Sequence, residues 1–282
     1  MKKHLSTIIL CLVFFVGLSV LLYPTLSDYY NSFHASRAVA TYEQSLENLS
    51  TDNTAELLAA ADAFNRALPT PQTLINGDPQ GQEYQNLLNV DGTGMMGYIT
   101  IKKIGVELPI YHGTSDAVLA SGTGHLEGTS LPVGGAGTHT VITGHRGLPS
   151  AKLFTNLDQL ELGDTFTLTV LNQVLTYEVD NIAIVLPTDM QLLNLTPGQD
   201  YCTLVTCTPY GVNTHRLLVR GKRTETQTEL RVTADAVQID PVMVAPAVAA
   251  PMLLILLLVL LFGSPRRPKQ NPNSVEKRED PQ

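Results

Sequence analysis

The chain contains three cysteines, Cys11, Cys202 and Cys207, and the spacing of the last two is the first chemical clue. They share one run of β-forming residues, Tyr201-Cys202-Thr203-Leu204-Val205-Thr206-Cys207-Thr208-Pro209. An odd separation along a strand sends the two side chains to opposite faces. At ~3.3 Å per residue their Cα atoms stand ~16 Å apart, well beyond the ~7 Å limit of a disulfide. Cys202 opens the run among apolar neighbours and reads as buried and inert. Cys11 lies in an apolar run and reads as a small hydrophobe. Cys207 closes its run beside Thr208-Pro209-Tyr210-Gly211, where strand gives way to loop and reactive groups become accessible. An ordinary thiol, of pKa ~8.5, is only a few per cent ionised at neutral pH, so a nucleophilic cysteine needs a base or a cation beside it.

Candidate partners lie on both sides. His145 ends the run Thr140-Val141-Ile142-Thr143-Gly144-His145 and is followed by a turn, Arg146-Gly147. Arg216 opens the strand-like run after Cys207, and a connection of that length can return an antiparallel neighbour. A histidine would move protons, and an arginine would hold a carbonyl oxygen as charge develops on it. Losing one such donor costs ~10²- to 10³-fold in rate. Spacing alone does not single out His145, because His112, His125, His139 and His215 compete with it. A zinc site is not expected, since Cys202 and Cys207 face opposite ways and no paired histidine or further cysteine completes a tetrahedral set. No cofactor is expected either.

These residues need a scaffold, and the scaffold reads as mostly β. Short runs rich in Ile, Val, Thr and Tyr cover 98–104, 106–111, 139–143, 165–171, 174–186, 201–206 and 217–220, separated by turn signals such as Gly134-Gly135 and Pro197-Gly198. So many strands in a short span predict a closed or nearly closed antiparallel barrel over 97–225. Before it, Ala35, Val39, Tyr42, Leu46 and Leu49, then Leu57, Ala61, Phe64 and Leu68, recur at helical spacing. A helical hairpin over 24–71 follows, its second helix capped by Asn53 with Glu56 and stopped by Pro69 and Pro71. Residues 72–96 carry little periodicity and read as a lid-like loop.

Two uncharged apolar runs, 5–23 and 242–262, are each long enough to cross a hydrocarbon core as a helix. No small-x-small cleavage site follows the first, which therefore reads as an uncleaved anchor. Lys2 and Lys3 precede it, and Arg266, Arg267, Lys269, Lys277 and Arg278 follow the second. Both flanks, 1–4 and the Pro-rich, disordered-looking 263–282, are therefore expected in the cytoplasm, with the barrel and a linker at 226–241 outside. The formal net charge is −8, and most of the basic residues outside the barrel lie in these flanks. That balance excludes a nucleic-acid binder, which needs a dense basic surface.

The blocks Thr143-Gly144-His145-Arg146-Gly147-Leu148-Pro149, Thr203-Leu204-Val205-Thr206-Cys207-Thr208-Pro209 and Asn213-Thr214-His215-Arg216-Leu217 resemble the active-site blocks of sortases. More specifically, they resemble the class C, pilin-polymerising group of Gram-positive bacteria. The likeness extends over about residues 24–225 and includes Met95-Met96-Gly97-Tyr98-Ile99 and Gly124-His125-Leu126-Glu127-Gly128. It implies an eight-stranded barrel with Cys207 as nucleophile, His145 as proton donor and acceptor, and Arg216 as positioning and oxyanion group, with Thr206 as an oxyanion or substrate contact. The implied substrate is an LPXTG-type sorting signal on a pilin, cut between Thr and Gly through a thioacyl enzyme, with a pilin Lys as acceptor. Class C sortases carry a lid with an Asp-Pro-aromatic motif. The match here is Asp78-Pro79-Gln80, which departs at the aromatic, and Tyr84 is the candidate substitute cover. A cell-wall-anchoring sortase, a thiol hydrolase and a non-catalytic pilus-assembly adaptor remain the alternatives.

Overall fold

β-Branched and aromatic residues alternate with turn glycines from Met95 onward, and in the computed structural model, which describes residues 2–68, 81–226 and 251–255, they form eight strands. These are β1 (Met95–Ile101), β2 (Val106–His112), β3 (Thr123–His125), β4 (Thr138–Thr143), β5 (Thr165–Val170), β6 (Gln173–Val185), β7 (Asp200–Thr208) and β8 (His215–Thr224). They close into a barrel in the order β1-β2-β3-β4-β7-β8-β6-β5. The barrel is not purely antiparallel as expected: β2 with β3 and β4 with β7 run parallel. Each parallel pair needs a crossover, and the short helix α4 (Asp116–Ser121) lies in the first of them.

Two other strand expectations change. β3 has three residues, too few to show an alternating pattern in sequence. Residues 102–104 form a single 3₁₀ turn rather than the end of a strand, and Gly105 stops it at φ 62°. The barrel interior is filled by Ile99, Ile110, Ile142, Phe154, Phe166 and Leu204 among others, all essentially inaccessible. Burying each such side chain stabilises by ~1.5–3 kcal/mol before entropy is counted.

The chain divides into two units, and the barrel with the helical segments packed on it belongs to the one spanning 23–233. Helix α1 (Lys2–Glu47) includes Pro24 in its interior. An interior proline costs ~3 kcal/mol or more locally, which long helical flanks on both sides can outweigh. Ala35, Val39, Tyr42 and Leu46 are buried as their spacing predicts, and the Tyr42 hydroxyl donates to the Met96 carbonyl at 2.9 Å. Helix α2 (Thr51–Ala67) begins three residues earlier than expected, capped by Ser50 rather than Asn53, because the Ser50 hydroxyl accepts the Asn53 N–H. The segment expected to be a lid contains a short helix, α3 (Gly81–Asn86), and ends in the first residues of β1. Asp78 and Pro79 lie outside the described residues.

From Ile9 onward α1 is long and apolar enough to cross a membrane, with a mean hydropathy of 2.4 in its most apolar window. The second apolar run lies mostly outside the described residues, of which 251–255 are helical.

Candidate active site

β7 places Cys207 near its end, and β8 returns antiparallel beside it with Arg216 directly opposite Cys207. Residues paired in this way project from the same face, so thiol and guanidinium stand side by side. On the other flank of β7 lies β4, parallel, with Thr138 aligned to Asp200 and Thr143 to Val205. The alignment continues past the strand end. The Gly144 N–H donates to the Val205 carbonyl at 3.0 Å, and the Thr206 hydroxyl donates to the Gly144 carbonyl at 2.8 Å. The next residue, His145, is thereby delivered to the flank of Cys207 opposite Arg216. All three are partly exposed, at one end of the barrel.

The competing histidines are committed elsewhere. His112 is buried, with its ring nitrogens 2.8 and 2.7 Å from the Gly94 and Leu87 carbonyls. His139 is buried against Thr203 and the Asn194 carbonyl. His125 is fully buried between Tyr84 and Ser130, and burial pulls its pKa down to about 4. His215 is aligned with Thr208, one residue from Arg216, so the strand alternation turns it to the opposite face. Of these five, His145 is the one that the β4–β7 register, continued past Thr143, brings level with Cys207.

The cysteines separate in the same way. Cys202 has no exposed surface, and burial, reinforced by the Asp200 charge, pushes its thiol well above the ordinary range. Cys207 is partly exposed. Beside Arg216 an apolar groove of about 230 Å³ opens, lined by Thr143, Val185, Met190, Leu193, Val205 and Arg216 itself. One Arg216 Nη1 is held by the carbonyls of Asn213 and His215 at 3.3 and 3.2 Å, which orients the guanidinium between loop and groove.

Two expected site residues change role. Thr206 is almost fully buried with its hydroxyl spent on Gly144. It ties the His145 segment to β7 and is not a substrate contact. Tyr84 is not a cover over Cys207: its hydroxyl meets His125 Nδ1 at 2.9 Å and accepts the Gly113 N–H at 3.0 Å, and its ring packs on Phe64 and His112. Sequence proximity to Asp78 suggested a lid, but a large aromatic with a polar tip is stabilised more by burial with a satisfied hydroxyl.

A sortase domain model matches residues 99–224. The crystal structure of sortase C1 from Streptococcus agalactiae is 45% identical, superposes with a TM-score of 0.62, and is covered over 100% of its length by 68% of this chain. The chain belongs to the sortase family. A pilus-related sortase C of Group B Streptococcus is 42% identical with a TM-score of 0.60, over 66% of this chain and 96% of that one. Among curated proteins, sortase A of Streptococcus agalactiae serotype III is 30% identical over 135 residues. That match takes in 47% of this chain and about half, 54%, of the relative.

In this sortase, Arg146 is a site residue that spacing did not reveal. Its Nη1 donates to the Thr208 hydroxyl at 3.3 Å, its Nη2 pairs with Asp158, and it lies over the Tyr210 ring. It therefore ties the residue after His145 to the residue after Cys207. Gly147, next to it, adopts φ 77°, where a Cβ would stand 3.2 Å from the Tyr210 ring.

Proposed function

We propose that this sortase is a membrane-anchored cysteine transpeptidase that cuts an LPXTG-type sorting signal between Thr and Gly and joins pilin subunits through isopeptide bonds. The observation that carries the reading is the lateral alignment of His145, Cys207 and Arg216 on three neighbouring chain segments, with an apolar groove opening beside Arg216. The likeness to a pilus-related sortase C supports the substrate class.

The chemistry follows from that alignment. The Cys207 sulfur, its proton held by His145, attacks the Thr carbonyl carbon, and negative charge collects on the carbonyl oxygen, where the Arg216 guanidinium stabilises it by charge-assisted hydrogen bonds. The C–N bond to Gly breaks as His145 delivers a proton to the leaving amine, which leaves a thioester on Cys207. A lysine side chain of a second subunit then gives its proton to His145 and attacks the thioester. The C–S bond breaks, an amide forms, and the Cys207 sulfur leaves with its proton again on His145, as at the start. The groove beside Arg216 would seat the apolar part of the signal and exclude water from the thioester. Anchors at 5–23 and 242–262 with both termini cytoplasmic would hold the barrel outside the cell.

The test is incubation of the full chain in detergent with a purified pilin ending in an LPXTG-type tail, followed by mass spectrometry. A thioacyl adduct on Cys207 and a ladder of Lys-linked oligomers are expected. Release of hydrolysed product alone would show a thiol hydrolase, and no adduct at all would overturn the reading.

A further inference from the structure

The loop that carries His145 away from β4 is held at its tip by α1, a helix more than a hundred residues earlier in the chain. The base of the loop is fixed by Gly144 on β7 and by Arg146. Its return leg is fixed where the Phe154 N–H donates to the His145 carbonyl at 3.1 Å and the Gly147 N–H donates to the Thr155 hydroxyl at 3.2 Å. Between these lies a tight reversal in which Leu148 bridges Ala151. There the Asn31 carboxamide donates to the Ser150 carbonyl at 2.7 Å, and the Lys152 N–H donates to the Asp28 carboxylate, also at 2.7 Å. The Lys152 ammonium adds a longer contact to the same carboxylate at 3.6 Å. Asp28 and Asn31 are one helical turn apart and therefore share a face of α1.

We propose that Asp28 and Asn31 are positioning residues for His145. Neither reaches the thiol. They act by pinning the reversal, whose next residue, Leu153, is a buried, non-glycine residue at φ 41°. A leucine keeps that conformation only where its surroundings over-determine it. On one side of Leu153 stands the pinned Lys152, and on the other Phe154, which is fully buried and bonded to the His145 carbonyl. Releasing Lys152 lets Leu153 relax and loosens the bond that orients His145. Proton delivery to the leaving amine is sensitive to displacement on that scale, where ~1 Å costs up to ~10²-fold. The groove is lined by other residues, so substrate binding should be spared.

The role in catalysis rests on the transpeptidase reading, so the experiment separates the two. Asp28→Ala, Asn31→Ala and the double variant, made in the full chain in detergent, are compared for LPXTG-peptide cleavage and for amide hydrogen exchange over 146–153. The double variant is expected to lose about ten-fold in kcat with KM unchanged, with faster exchange confined to the loop. Asp28→Asn keeps an oxygen for the Lys152 N–H and should restore most of the rate. Asp62→Ala, which removes an ion pair to Arg66 on α2, should change neither readout. Unchanged loop exchange in the double variant overturns the proposal, as does exchange that rises across the whole barrel. If the wild-type chain cleaves no peptide, the transpeptidase reading fails, while the loop exchange still decides whether Asp28 and Asn31 hold the segment.

Discussion

Cys202 and Cys207 occupy one strand five positions apart, and burial separates them: Cys202 is fully buried and Cys207 partly exposed. Desolvation penalises the thiolate of Cys202, whereas Cys207 meets solvent at the rim with Arg216 opposite. Cys207→Ala should abolish thioacyl capture of an LPXTG-type peptide, and Cys202→Ala should leave capture within a few-fold of wild type while lowering thermal stability through lost core packing. Equal loss in both variants, read by intact-mass spectrometry, would reassign the nucleophile. The strand parity that separates these cysteines was legible in the sequence because side-chain period 2 needs no partner to be known. The role of Thr206 was not legible. Its hydroxyl finds the Gly144 carbonyl only because β4 lies parallel to β7, and nothing in local spacing shows which strand will lie alongside. The same limit kept Arg146 hidden, since Thr208 and Asp158 become its partners only in the folded barrel.

Among the elements, long periodic segments were readable and short or crossover-dependent ones were not. The buried stripe of α1 and the span of β6 follow from pattern, but β3 is too short to carry one, and the parallel pairings are a property of topology. Gly144 shows how closely two elements are fitted at the site. A Cβ there would lie 2.6 Å from the Phe154 ring, which is itself fully buried in the core. Gly144→Ala must displace either that ring or the backbone that presents His145. Overpacking of this kind costs ~1–3 kcal/mol, so the variant should melt lower and lose peptide cleavage out of proportion to its stability. Phe154→Leu in the same chain makes room for the methyl and should recover part of the rate. Failure of the second change to recover anything would mean that the glycine is needed for a reason other than the contact with Phe154.

For the molecule as a whole, the buried histidines set how stability depends on pH. The Ser130 carbonyl can only accept, so His125 Nε2 carries the proton and the bare Nδ1 accepts the Tyr84 hydroxyl. Burial holds its folded pKa at about 4 against an ordinary 6.5, and His139 is shifted in the same direction by the same cause. Above pH ~6.5 both folded and unfolded chains keep these rings neutral, and the full stability is present. As pH falls from there toward 4, the unfolded chain takes up protons that the folded one refuses, so unfolding is progressively favoured. For His125 alone the loss approaches roughly 3 kcal/mol once pH is below its folded pKa. Thermal unfolding of the full chain in detergent should therefore show a lower midpoint at pH 5 than at pH 7.5. In His125→Gln the amide can serve both Tyr84 and Ser130 without titrating. Its midpoint at pH 7.5 should drop from imperfect packing, but its fall between pH 7.5 and 5 should be shallower than in wild type. An unchanged pH slope would mean that the acid sensitivity resides elsewhere.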